Sequence, residues 1–134
     1  MTNDLGTVDL NSGLALFNRA EFFEAHEALE DVWREAQFGS PGRRHLQGLV
    51  QLAVAFHHES TQNFVGARSV LDRALRNLKG AEVSFPFLDL DQLRAVLSHW
   101  QIYLAAAAPR KDEPGQKKRL RRPKLPVLPT KPNR

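Results

Sequence analysis

The stretch FFEAHEALEDVW, residues 22–33, decides the fold of this chain. Its large apolar side chains recur every three or four residues, which is the spacing of one face of an α-helix. His26 lies within that apolar face, and Glu30 lies one turn further on, at its edge. An unpaired polar group in a buried face costs about 1–3 kcal/mol, so His26 needs a partner. Either His26 is a core histidine held by Glu30 or a backbone carbonyl, or it belongs to a ligand or metal site.

The segments on either side of this stretch predict four more helices. The first is expected near residues 9–18, the stretch itself lies in a second over about 21–37, and a third covers about 41–59. Ser40 followed by Pro41 is a helix-start signal, Asn63 is suited to cap the fourth helix, and either Asp89 or Asp91 can cap the fifth. The sequence therefore predicts an all-α protein, a compact five-helix bundle over residues 10–108.

Composition limits the classes of protein that this chain can represent. A chain of 134 residues with 42% hydrophobic residues suffices for one domain with a core. The absence of cysteine excludes disulfides and thiolate metal sites. No apolar run reaches membrane-spanning length, and the first residues lack the features of a signal peptide. We therefore expect a soluble, cytoplasmic protein that does not enter a membrane.

The net charge of +4 hides two oppositely charged parts. Residues 1–108 carry 9 basic and 13 acidic side chains, whereas residues 109–134 carry 10 basic and 2 acidic ones. The second part is also rich in proline, and this composition predicts a disordered basic tail over 109–134. Its cations would attract nucleic acid without sequence specificity, or an acidic protein. A solubilising extension is the plainer alternative, and the prolines also suit the extended polyproline helix of proline-rich ligands.

The third helix is apolar over most of its circumference but carries one narrow polar strip. Gln47, Gln51 and His58 fall within about 40° of one another on this helix, while His57 points about 100° away from His58. The strip either faces solvent or faces His26 and Glu30 across the bundle. In the second arrangement, His26, Glu30 and His58 would be candidate ligands of a divalent ion such as zinc, manganese or iron. The His–Glu pair could also serve a hydrolase-like enzyme as a general base, although nothing in the sequence marks a nucleophile.

Several of these motifs together resemble a known family. They are Phe17-Asn18, residues 22–33, Gln47-Gly48-Leu49-Val50-Gln51 followed by His58, and Asn63 with Gly66-Ala67, with Leu88-Asp89 as a weaker match. In this combination the chain resembles the domain of unknown function 309 (DUF309) family over about residues 12–104. The resemblance implies a compact all-α fold and no known reaction. His57 departs from the family pattern, in which an aromatic residue such as tyrosine tends to stand, and the basic tail is an addition.

The resemblance also implies that the signature side chains lie near one another. The candidate ligand-binding set is therefore His26, Glu27, Glu30, Trp33, Gln47, Gln51 and His58. The leading hypothesis is a domain that binds a small ligand or a metal ion between the second and third helices. The alternatives are an interaction module that acts through the basic tail and a hydrolase-like enzyme that uses His26 and Glu30. The apolar surplus of the third and fifth helices permits a homodimer without requiring one.

Overall fold

The computed structural model of the chain describes residues 5–113 and 120–132, and side chains from residue 10 onward. The described residues form five α-helices and one short 3-10 turn, which confirms the predicted all-α bundle. They are α1 (Leu5–Asn18), α2 (Phe22–Glu35), α3 (Pro41–Ser60), α4 (Phe64–Asn77), the turn Ala81–Val83, and α5 (Leu90–Ala107). The helix α1 begins several residues before the predicted start. None of the helices in the described ranges combines the length and apolar character needed to cross a membrane.

Local chemistry explains where these helices begin. Ser40, Asn63 and Asp89 each accept a hydrogen bond from a backbone N–H in the first turn of α3, α4 and α5, as predicted. Each such cap satisfies one of the N–H groups that a helix start leaves without a partner.

Each helix packs against the next one along the chain, and α3 lies between α2 and α4. Gly48 makes the contact of α3 with α4 close, because a Cβ atom there would lie 2.7 Å from Leu78 Cγ and 3.3 Å from the Ala74 carbonyl oxygen. Phe56 packs edge-on against Phe17 and Trp100, with ring centroids 6.4 and 5.0 Å apart. Such aromatic pairs each add roughly 0.5–1.5 kcal/mol beyond the area that they bury.

The chain after α5 continues over the bundle. Arg68 donates hydrogen bonds to the Ala108 carbonyl oxygen and to Glu113, and this guanidinium lowers the pKa of Glu113 to about 2. Residues 120–132 then lie against the helices, with Leu128 only 2% exposed within the core. The disordered tail predicted over 109–134 stays a prediction, and the structure describes residues 109–113 and 120–132 of that range in these contacts. Residues 114–119, 133 and 134, which that prediction also covers, lie outside the described residues.

Candidate functional site

His26 and Glu30 form a pair on the outer edge of α2. His26 Nε2 lies 3.6 Å from Glu30 Oε1, and Arg34 reaches the same carboxylate oxygen at 3.3 Å. The side chains of His26 and Glu30 are 26% and 32% exposed, so both groups remain in contact with water. Glu27 is exposed on the same helix. The pair that the sequence predicts is thus present, but it lies on a surface and not in a sheltered pocket.

Trp33 lies near the other end of α2, where α3 begins. The guanidinium of Arg43 lies 4.2 Å from the centroid of the Trp33 ring, which is a cation–π distance. Trp33 Nε1 is buried and finds no hydrogen-bond acceptor among the described residues. This indole therefore joins α2 to the first turn of α3.

The polar strip of α3 does not face His26. Gln51 accepts a hydrogen bond from Asn77 at the end of α4 (2.8 Å), and His58 Nδ1 lies 3.3 Å from the Asn63 amide that precedes α4. Gln47 is exposed beside Asn77 in a cavity at the start of α3. The expectation that Gln47, Gln51 and His58 meet His26 and Glu30 is therefore corrected, because α3 is rotated so that this strip turns toward α4.

The residue of α3 that approaches the His26 surface is His57. Its ring centroid lies 5.4 Å from that of Phe23, which in turn lies 5.9 Å from that of His26. Phe23 is 47% exposed, so an aromatic ring separates two imidazoles at the surface. Within residues 5–113 and 120–132, no three His, Asp or Glu side chains gather as metal ligands would. The predicted set of His26, Glu30 and His58 is not such a group.

The most buried histidine is one that the sequence analysis did not single out. His45 of α3 is 1% exposed, and its Nδ1 lies 2.5 Å from the Ser84 hydroxyl oxygen. Burial, with a smaller contribution from the neighbouring charge of Arg44, lowers the pKa of His45. The His45–Ser84 pair joins α3 to the segment before α5, and its burial keeps this imidazole away from solvent.

Another set of specific polar contacts joins the helices to residues 120–132. Glu59, near the end of α3, is 4% exposed and receives two hydrogen bonds from Arg122, at 2.8 and 2.7 Å. Two parallel bonds of this kind are the strongest arrangement of guanidinium and carboxylate. They raise the pKa of Arg122, whose guanidinium also lies 5.6 Å from the centroid of the Trp100 ring.

The helices also bind the main chain of this segment. The fully buried Trp100 donates its indole N–H to the Lys124 carbonyl oxygen at 2.8 Å. Asn18, at the end of α1, accepts from the Leu128 N–H at 2.7 Å and donates to the carbonyl oxygen of the same residue at 3.5 Å. The single side-chain amide of Asn18 thus satisfies both backbone hydrogen-bonding groups of Leu128.

Two more backbone bonds come from the loop before α5. The Asp89 N–H donates to the Pro129 carbonyl oxygen at 2.7 Å, and the Lys131 N–H donates to the Phe87 carbonyl oxygen at 2.9 Å. Leu88 and Thr130 accordingly form an isolated antiparallel bridge. Glu59, Trp100, Asn18 and the 87–89 loop thus all bond residues of the segment, and we call the surface that they form the segment groove.

The proline spacing matches this binding. Prolines occur at every third position of the segment: Pro123, Pro126, Pro129 and Pro132. Residues 126 and 128 of the segment are buried, residues 120, 123 and 129 are half-buried, and the others of 120–132 are exposed. A period of three is that of a polyproline II helix, in which every third residue shares one edge. This conformation was considered from the prolines of the sequence, but neither their period nor the groove was predicted.

Comparison with known proteins confirms the resemblance drawn from the motifs. The sequence model of the DUF309 family (domain of unknown function) matches residues 10–70. An uncharacterized protein of Bacillus subtilis (strain 168), YpuF, is 32% identical over 83 residues, which cover 62% of this chain and 47% of that protein. An uncharacterized protein of Aquifex aeolicus (strain VF5) is 28% identical over 81 residues, or 60% of this chain and 24% of that protein. The matched part thus spans about half or less of these relatives.

Proposed function

With residues 10–70 matching a family whose function is unknown, we propose that this chain is a protein-interaction module. Its segment groove binds an extended, basic, proline-containing segment, and its own residues 120–132 occupy that groove. The observation that carries this proposal is that the helical domain bonds five backbone groups of a segment with prolines at every third position. These groups are the carbonyls of Lys124, Leu128 and Pro129 and the N–H groups of Leu128 and Lys131.

Main-chain bonds and side-chain pockets have separate roles in such recognition. Bonds to the backbone hold any chain of the right conformation, and the polyproline II conformation lowers the entropy lost on binding. Specificity comes from the side chains that enter the groove. Leu128 fills an apolar position, and Arg122 pairs with the buried carboxylate of Glu59. The groove therefore selects for a cation and a leucine six residues apart, with prolines between them.

This proposal differs from binding nucleic acid through a loose tail. Glu59 already neutralises Arg122, and the backbone of the segment is turned toward the helices. Besides Arg122, the exposed cations of the bound segment are Arg121, Lys124 and Lys131. A helical domain that holds the segment is consequently a better account of these contacts than a tail that acts alone.

A peptide in solution tests the proposal. We expect a fluorescent peptide with the sequence of residues 120–132 to bind the Leu128→Asp variant of the full chain, whose own segment cannot occupy the groove. The intact chain and its exposed-site control Val127→Asp should bind the peptide at least about tenfold more weakly, because a tethered competitor acts at millimolar effective concentration. Fluorescence anisotropy measures all three affinities.

Three control ligands make the test decisive. The same peptide with aspartate at the position of Leu128 should not bind. A scrambled peptide of equal charge, or single-stranded DNA, should bind no better than that control. If the Leu128→Asp chain is folded by circular dichroism and ignores the peptide, or binds the scrambled peptide equally well, the groove is not a recognition site.

The surface around His26 is a second candidate, for a small ligand. It is favoured by the proximity of the His26–Glu30 pair to the exposed ring of Phe23 and the imidazole of His57. A fragment screen by nuclear magnetic resonance should then give shifts at these four residues that His26→Ala removes and Gln47→Ala leaves unchanged. Fragments that bind both variants equally would contradict this candidate.

A further inference from the structure

A second cavity lies between α5 and the start of the bound segment. It has a volume of about 540 Å³, within the range of small-molecule sites. Val96, His99 and Ile102 line it from one face of α5, and Leu120, Arg121 and Lys124 line it from the segment. The cavity is distinct from the segment groove, since it lies on the side of α5 where Ile102 is 61% exposed.

The chemistry of the walls specifies a class of ligand. The helix contributes apolar surface, including the ring of Tyr103, which the edge-on packing of Trp100 fixes at a centroid distance of 5.5 Å. The segment contributes cations, and no acidic residue lines the cavity in the described part of the chain. Arg122 also borders it, but its guanidinium bonds Glu59, so Arg121 and Lys124 provide the charge available to a ligand.

We propose that this cavity binds a small amphipathic anion, a carboxylate or sulfonate with an aliphatic or aromatic body. The body lies against Val96, Ile102 and Tyr103, where burial of apolar surface favours binding. The anionic group lies toward Arg121 and Lys124, which compensate its charge as it leaves water. A neutral molecule of the same shape would gain the first interaction without the second.

Ligand binding in this cavity is coupled to docking of the segment on the helices, because residues 120–124 of the segment form one wall of the cavity. A ligand that contacts this wall favours the docked segment, and the docked segment raises the affinity for the ligand by the same factor. The anion would thus retain the segment in its groove. This inference depends on where the segment lies and not on whether other peptides bind the groove.

Octanoate and 1-octanol are suitable probes, since they differ mainly in charge. We expect octanoate to bind the full chain with one-to-one stoichiometry by nuclear magnetic resonance titration, with shifts at Ile102 and Tyr103, and octanol to bind more weakly. Arg121→Glu should weaken octanoate binding at least about tenfold. Arg73→Glu, an exposed substitution on α4 outside the cavity, is the matched control and should leave the affinity unchanged. Leu128→Asp, which releases the segment, should abolish octanoate binding.

The outcomes separate the two proposals. Absence of octanoate binding, equal binding of octanoate and octanol, or equal effects of Arg121→Glu and Arg73→Glu would each overturn the anion site. None of these results affects the peptide experiment, which is performed without octanoate. Peptide binding without octanoate binding would therefore remove the cavity proposal alone, and the reverse result would remove only the peptide proposal.

Discussion

Replacing Arg122 with alanine should lower the free energy of unfolding by about 2 kcal/mol, and by less than about 1 kcal/mol when Glu59 is already glutamine. The reason is the asymmetry of burial within the pair. Glu59 is 4% exposed whereas the side chain of Arg122 is 48% exposed, so removing the arginine leaves a buried carboxylate without its counterion. Glutamine keeps the volume of Glu59 and one oxygen acceptor but has no charge to compensate.

The size of this effect has an upper limit that is itself informative. Once Arg122 is gone, the segment can leave the groove and let water reach Glu59. The measured loss therefore cannot exceed the free energy that holds residues 120–132 in place. Urea unfolding followed by circular dichroism gives the four free energies of the double-mutant cycle. Arg121→Ala, one residue away and exposed, is the control and should cost under about 0.5 kcal/mol. If Arg122→Ala costs no more than Arg121→Ala, the pair does not anchor the segment.

The sequence predicted features within single helices better than it predicted how the helices pack against one another. Caps such as Ser40, Asn63 and Asp89 are local signals, and all three were identified from residues within the same turn. The proximity of His26 to Glu30 is likewise a property of one helix. Interactions that lie within four residues of chain can be inferred from helical geometry alone.

The rotation of α3 about its own axis, and hence the face that it turns toward α2, could not be inferred in the same way. Because α3 is apolar over most of its circumference, periodicity does not say which side faces α2 and which faces α4. Gln51 and His58 were expected to face either solvent or His26 and Glu30, whereas their bonds to Asn77 and Asn63 turn them toward α4. The rotation of a central helix depends on the packing of its neighbours, which a single helical pattern does not contain.

The segment groove was missed for a different reason. Residues 109–134 are basic, rich in proline and poor in apolar groups. Segments of this composition are disordered when nothing binds their backbone. The groove supplies that backbone binding through Asn18 and Trp100, which lie far away in sequence. One signal was present in the sequence: Glu59 lies on the apolar face of α3 with Leu52 and Phe56, so a cation from elsewhere was needed.

Replacing Leu128 with aspartate should release the whole segment, because a single buried leucine anchors its centre. Leu128 is 2% exposed within the core, and burying such a side chain contributes roughly 1.5–3 kcal/mol. A charged carboxylate at this position would be desolvated beside apolar groups, so the variant chain avoids that cost by leaving the groove. Val127 is 48% exposed, and Val127→Asp is the matched substitution that should leave the segment bound.

Release can be observed at two separate places. Trp100 is fully buried and loses its Lys124 acceptor when the segment leaves, so acrylamide should quench its fluorescence more strongly in Leu128→Asp than in Val127→Asp. The measurement is made with Trp33→Phe in every chain, so that Trp100 is the only indole. Hydrogen exchange at Lys131, whose N–H bonds Phe87, should accelerate in the same variant. Equal quenching in both variants, with Lys131 exchange unchanged, would mean that Leu128 does not hold the segment on the bundle.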